Sequence, residues 1–339
     1  MILSDMAASR LSLLNRSLLI AVSLLILFPC PGMSSSDPVR FFRMGDGKMS
    51  IRNEHNGREA TVNLFDADGG FNENALDAID RVFGFAGSRR GEHISLRLLV
   101  LLDYFTDRIA PGETIHLISG YRSPAYNLKL KKSGGNVART STHMDGMALD
   151  FYLDGVDGKV LWEMIRRENC CGVGHYGGKY IHFDSGRPRF WEAATSKTGT
   201  KESEFNRKLY LSAEYDRYRQ GERVRFFLTS LSDLAFGVRK TAGLLKDGDG
   251  KNGTTALTVE GRDGEECVMI KDRNASRSIH ATLPAGLAPG RYRVRFDFCQ
   301  RPFEQMPTST ISNEIEIVKD EKTVQEFQSS GAQEKKGPR

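Results

Sequence analysis

The side chains best equipped for chemistry lie close together in the chain. Three of its seven histidines, His143, His175 and His182, fall in one short window, and Asp150 sits inside the apolar run ALDFYL. An ionised carboxylate between Leu149 and Phe151 in a strand is expensive to bury unless a cation or several donors surround it. A Zn2+ ion supplies that compensation. Two imidazoles and one carboxylate are a known catalytic zinc set, leaving a fourth position for a water whose pKa falls from about 16 toward about 7. His143 (in STHMDGMA) and Asp150 form H-x6-D, with Gly146 allowing a tight backbone path, and His182 in YIHFD is the natural third ligand. The remaining histidines, His55, His93, His116 and His280, are scattered.

A register argument extends the set. If Gly177-Gly178 is a two-residue hairpin loop, Tyr176 pairs with Lys179 and His175 with Tyr180. Alternation then projects His175, His182 and Asp184 from one face, placing two proton acceptors beside the metal water. An imidazole suits a general base near neutral pH more readily than a carboxylate does, which favours His175. Asp184 either shares that role or orients His182.

Periodicity shows which elements must position these residues. Arg40 to Asn63 alternates apolar and polar residues around GDG and NG turn signals, as one or two hairpins do. FNENALDAIDRVFG, ISLRLLVLLDYFTDRIA and KVLWEMIRREN carry apolar residues at helical spacing. Pro124 opens a further short helix that ends near Gly134. ETIHLIS and ALDFYL read as strands, and the predicted fold is an α+β domain with helices packed on one side of a small antiparallel sheet. From about residue 207 the texture changes to short strands split by turns (LYLSAEYDRY, ERVRFFLTSL, ALTVEG, ECVMIKD, SIHATLPAG, RYRVRFDFC, SNEIEIV). That pattern predicts an all-β, immunoglobulin-like sandwich. The domain expectation is therefore 1–36 as signal or anchor, 38–197 as the first domain, 198–206 as linker, 207–319 as the sandwich and 320–339 as a charged, disordered tail.

The N-terminus has Arg10 and Arg16 before SLLIAVSLLILF and a polar follow-on, the make-up of a secretion signal, either cleaved or kept as an anchor. Phe28 and Pro29 stand where a lipoprotein acceptor site wants small residues, so lipidation of Cys30 is not expected. In an exported chain, Cys267 and Cys299 either bridge two strands or remain buried thiols. The vicinal Cys170-Cys171 pair has no metal-site spacing. Net charge is +5, with basic and acidic residues interspersed and no nucleic-acid module, so nucleic acid is not the expected partner.

The motifs SGYRSP, STHMDGMALDF, GVGHY and IHFDSGRPRFW, taken together, resemble the M15-like zinc peptidases of peptidoglycan, and within them the exported murein endopeptidase branch formerly known only as a domain of unknown function. The resemblance spans roughly Arg40 to Trp191. It implies zinc held by His143, Asp150 and His182. It also implies that Arg122 in SGYRS holds a substrate carbonyl or carboxylate through its fork of donors. Ser141 matches a small polar residue near the first ligand, and Tyr176 joins Arg122 and Ser141 as a substrate contact. Many relatives carry an acid or histidine three residues before the last ligand; here Lys179 stands there, which leaves His175 and Asp184 as the candidates. The implied activity is hydrolysis of amide bonds in peptidoglycan stems or cross-links, in the periplasm or cell envelope. The sandwich would serve protein or wall contact, and the N-terminal segment would be the one membrane contact if uncleaved. Alternatives of other kinds are a D-Ala-D-Ala-type carboxypeptidase, a non-catalytic zinc-binding module and a wall-binding scaffold.

Overall fold

The computed structural model describes residues 39–87, 92–134, 137–195, 204–248, 254–261 and 266–319. The signal or anchor segment, Cys30, the 320–339 tail and all but the end of the expected linker lie outside the described residues. No helix among the described residues is long and apolar enough to cross a membrane.

The N-terminal region opens with a hairpin, β1 (Lys48–Asn53) and β2 (Glu59–Asn63). Helices α1 (Glu73–Phe83) and α2 (Leu96–Ile109) follow. Both start on side-chain caps, Asn72 accepting from the Ala75 N–H and Ser95 from the Leu98 N–H, which satisfies otherwise orphaned donors. Strand β3 (Ile115–Ser119) leads to α3 (Pro124–Lys132), a 3-10 turn (Thr142–Asp145) and β4 (Ala148–Leu153). Helix α4 (Gly158–Glu168) precedes β5 (Gly172–Gly177), β6 (Tyr180–Asp184) and β7 (Arg189–Glu192).

These strands form one seven-stranded sheet in the order β2-β1-β3-β4-β6-β5-β7. It is mixed rather than antiparallel as expected: β1 pairs parallel with β3, and β5 with β7. The two-helix connection carries the chain back over the sheet before β3, and β7 passes to the outer edge of β5 instead of folding onto β6. One face of the sheet meets the helices. Ile51, Leu117, Phe151, Ile181 and Phe183 pack there against Leu76 and Ile79 of α1, Leu98 and Phe105 of α2 and Leu161 of α4. Each large apolar side chain buried this way contributes roughly 1.5–3 kcal/mol. Alternation turns Asp150, Tyr152, His182 and Asp184 to the other face.

The C-terminal region is β-rich, with one short helix, α5 (Arg273–Ser276). Strands β8 (Tyr210–Ala213), β10 (Arg223–Thr229) and β15 (Ile279–Thr282) make a three-stranded sheet. A larger one runs β13 (Thr254–Thr258), β12 (Thr241–Lys246), β16 (Gly290–Gln300), β11 (Phe236–Arg239), β14 (Cys267–Ile270), with β9 (Arg217–Arg219), β17 (Ser309–Ile311) and β18 (Ile315–Val318) attached. Both sheets contribute to one core, Phe226 and Leu228 from the first meeting Leu244, Phe296 and Phe298 from the second. Cys267 and Cys299 are bridged, and so are Cys170 and Cys171. The Cys267–Cys299 bridge passes over Gly237, where an added Cβ would sit 2.3 Å from the Cys267 sulfur.

Both regions belong to one compact unit, 37–339. Arg97 of α2 pairs with Asp216 at 2.5 Å and donates to the Ala213 carbonyl, while the other Asp216 oxygen accepts from the Phe42 N–H. Near the start of β1, Asp103 of α2 is fully buried and accepts from the Gly47 N–H. Burial, aided by the charges of Asp107 and Asp46, pushes its carboxyl up to about 7.

The folded chain thus holds the Asp103 proton more tightly than the unfolded chain, whose Asp titrates near ~4. Its contribution is complete below that value and is lost as pH rises through about 7. In chelator-treated protein, the unfolding midpoint of wild type should fall more steeply between pH 5 and 8 than that of Asp103→Asn. Superimposable pH profiles in thermal unfolding would refute this account.

Candidate metal centre

The centre is built on two adjacent strands and one turn. In the β4–β6 ladder Asp150 lies directly opposite His182, so their side chains emerge side by side. The 3-10 turn brings His143 against them, closed by Gly146 in the left-handed region (φ 66°), where a non-glycine residue would be strained. One ligand atom from each of His143, Asp150 and His182 lies within 4.8 Å of the others. The His143 Nε2 is 3.3 Å from Asp150 Oδ1 and 3.2 Å from His182 Nδ1, and the latter is 2.9 Å from the same carboxylate oxygen.

The outward-facing nitrogens are occupied in a way that frees the inward ones. His143 Nδ1–H donates to the Gly120 carbonyl at 2.7 Å, leaving Nε2 as the lone-pair atom. Gly120 is packed so closely against α1 that a Cβ would lie 2.7 Å from the Phe83 carbonyl oxygen. His182 Nε2–H donates to Asp184 at 2.9 Å, leaving Nδ1 facing Asp150. This is how metal-binding imidazoles are usually held, and the donor set therefore fits a divalent ion that accepts nitrogen and oxygen ligands.

Electrostatics follow from the same contacts. Burial favours the neutral form of Asp150, but His143 and His182 outweigh it and hold the carboxyl well below the usual range. Burial lowers His143. It acts the same way on His182, where the carboxylates of Asp150 and Asp184 reverse it and raise the ring's pKa. Asp184 has no solvent exposure; burial opposes its charge, but Arg189 above all, with His182, brings it to about 2.

Arg122 reaches the second oxygen of Asp150 at 2.5 Å and is braced by a bond from its Nε to Ser119 Oγ. The Tyr176 hydroxyl donates to Asp150 Oδ1 at 3.0 Å, although 45% of the residue is exposed. Burial of the hydroxyl and the Asp150 charge raise its pKa, so it stays a donor. Ser141 is buried at the entry to the 3-10 turn, where its side chain makes no capping bond.

The hairpin does not have the register expected from sequence. Gly177 pairs with Tyr180, Gly174 with His182 and His175 with Ile181, with an irregularity between His175 and Gly177. The loop is Gly178-Lys179, so it is Tyr176, not His175, that shares the face of His182. The His175 ring lies near the Gly178 carbonyl, 3.2 Å from Nε2, and 4.0 Å from Glu192. Asp184 is on the His182 face but on the far side of the ring from the ligand atoms, and it also accepts from Arg189 and the Gly186 N–H.

Sequence reasoning overlooked Trp191, whose ring lies 4.9 Å from that of His182. The available signal was Gly174: a Cβ there would lie 2.2 Å from the indole, so the glycine makes room for Trp191. Arg189, which neutralises Asp184, was likewise visible only as part of a motif.

Asp184→Asn should leave the fold intact by circular dichroism and weaken metal binding about 10–100-fold, the usual loss for a partner that orients a ligating histidine. Competition against a chromophoric chelator measures it, and an unchanged affinity would remove Asp184 from the centre.

Residues 45–191 match the family model described as Peptidoglycan L,D-endopeptidase MepK. The chain is 27% identical over 144 residues to "Peptidoglycan L,D-endopeptidase MepK" of Escherichia coli K12, a stretch covering 42% of this chain and 79% of the relative; the Shigella flexneri protein of that name matches equally. "Probable peptidoglycan L,D-endopeptidase MepK" of Haemophilus influenzae is 34% identical over 79 residues, 23% of this chain and 42% of that one. The matched segment contains the His143–Asp150–His182 cluster and Arg122, so the N-terminal region that builds the candidate centre is the part of the chain that is similar to these peptidoglycan endopeptidases.

Proposed function

We propose that the protein is an exported, zinc-dependent endopeptidase that hydrolyses peptide bonds in peptidoglycan, an L,D-endopeptidase as the names of its relatives say of them. The observation that carries the reading is the convergence of His143, Asp150 and His182 on the sheet face opposite the helices, where Arg122 and Tyr176 meet the same carboxylate. The basic and apolar N-terminal segment supports export.

When bound, zinc supplies a Lewis acid and a nucleophile usable at neutral pH. The chain's own groups do the rest. His143 and His182 offer nitrogens whose tautomers are set by Gly120 and Asp184. Arg122 and Tyr176 are hydrogen-bond donors at the mouth of the site, suited to a scissile carbonyl oxygen as charge develops on it. Ser141 lines the same turn as the first ligand and is assigned to substrate. Asp184 acts on His182. His175, the general base expected from the register argument, is given a structural role at the hairpin turn, and His175→Ala should retain turnover. The β-rich region is assigned an immunoglobulin-like sandwich, spanning about 207–319.

Purified mature protein incubated with defined monomeric and cross-linked muropeptides, with and without a zinc chelator, decides the matter when products are identified by mass. Cleavage within the cross-links that stops with chelator and returns with zinc is expected. Stoichiometric zinc without cleavage of either substrate would leave a non-catalytic zinc module. Products short only of a terminal D-Ala would make it a carboxypeptidase.

A further inference from the structure

The β-rich region reaches the metal centre from behind. Asp145 belongs to the same four-residue 3-10 turn as His143 and is almost fully buried. Its Oδ1 accepts from the Arg273 guanidinium at 2.7 Å, and its Oδ2 accepts from the Ser230 N–H at 3.1 Å. Both donors come from the C-terminal region, and both are themselves fixed. Arg273 donates its other terminal nitrogen to the Leu231 carbonyl at 3.0 Å, and Ser230 has a left-handed backbone (φ 58°). The family match ends at residue 191, so Ser230 and Arg273 lie outside it.

We propose that Arg273 is a positioning residue of the metal centre: by holding Asp145 it fixes the turn that presents His143, which makes the β-rich region a working part of the site. The inference rests on the zinc reading above. A 3-10 turn this short has few bonds of its own, and its geometry depends on what grips its ends. His143 is tied on one side through Gly120, and Asp145 is the tie on the other. Without the guanidinium, the buried carboxylate would keep the Ser230 N–H as its hydrogen-bond donor, with Arg277 the remaining cation acting on it, and its desolvation would draw the turn toward water. That movement displaces His143 Nε2 relative to Asp150 and His182.

The test is zinc affinity and the visible spectrum of the Co2+-substituted full-length protein for wild type, Arg273→Met, Arg273→Lys and Arg97→Met. Arg97→Met breaks another contact between the two regions, the pair with Asp216, without touching the turn. Arg273→Met should bind zinc at least about 10-fold more weakly, the scale of loss for groups that orient ligands, with an altered Co2+ spectrum. Arg273→Lys should recover part of both, and Arg97→Met should match wild type in both while losing thermal stability. Wild-type affinity and spectrum in Arg273→Met would overturn the inference, as would equal weakening in Arg273→Met and Arg97→Met, which would mark general loosening. If Arg273→Met does not fold, the isosteric Asp145→Asn decides: weakened zinc binding supports the role and unchanged binding refutes it. A wild type that binds no zinc would sink the metal reading itself, whereas a zinc-binding wild type with an indifferent Arg273→Met sinks only this inference.

Discussion

The N-terminal region is arranged around the burial of one negative charge. Asp150 sits on the face of a strand opposite the helix-covered core, and it is only 8% exposed. Such a charge persists only if its surroundings replace the water it has lost. Two imidazoles, a guanidinium and a phenol do so here, drawn from the turn, β6, the loop after β3 and β5. Four separate elements must therefore arrive in register, and the helices on the opposite face provide the apolar platform that holds them there. Under the proposed function, Arg122 and Tyr176 are the two of these donors that would also face a substrate carbonyl, so the stabilisation of the site and its chemistry would share those contacts.

Much of this was legible in the sequence because it is local. Helical spacing located α1, α2 and α4, and the H-x6-D motif with YIHFD picked out the three residues that the fold brings within reach of one another. The hairpin was misjudged because Gly177 stays in its strand and the irregularity at Tyr176 absorbs one residue; a shift of one exchanges faces, so Tyr176 enters where His175 was expected. Trp191 and Arg189 depend on β7 crossing to the outer edge of β5, and nothing in the local pattern announces that crossing. In the β-rich region, FGVR and TAGLLK lack clean alternation and were not anticipated as β11 and β12. The tie between Asp145 and Arg273 joins residues 128 positions apart and has no local signature.

The two regions also meet through charge rather than apolar surface at several points. Arg97 with Asp216 and Arg273 with Asp145 pair a half-buried guanidinium with a buried carboxylate, and both have additional backbone partners. Such pairs add little net stability over apolar packing, but breaking one of them is costly because the other member is left uncompensated. They therefore define orientation more than they add affinity, which suits a contact whose far side is the turn that carries His143.

The bond from His143 to Gly120 has an evolutionary side. The acceptor that sets the tautomer of this imidazole is a main-chain carbonyl, and the residue bearing it has no side chain and no space for one. No exchange of one neighbouring side chain for another can remove that acceptor; only a displacement of the backbone can. This ring's tautomer is thereby insulated from ordinary sequence drift, while that of His182, which depends on the Asp184 side chain, stays open to selection one substitution at a time.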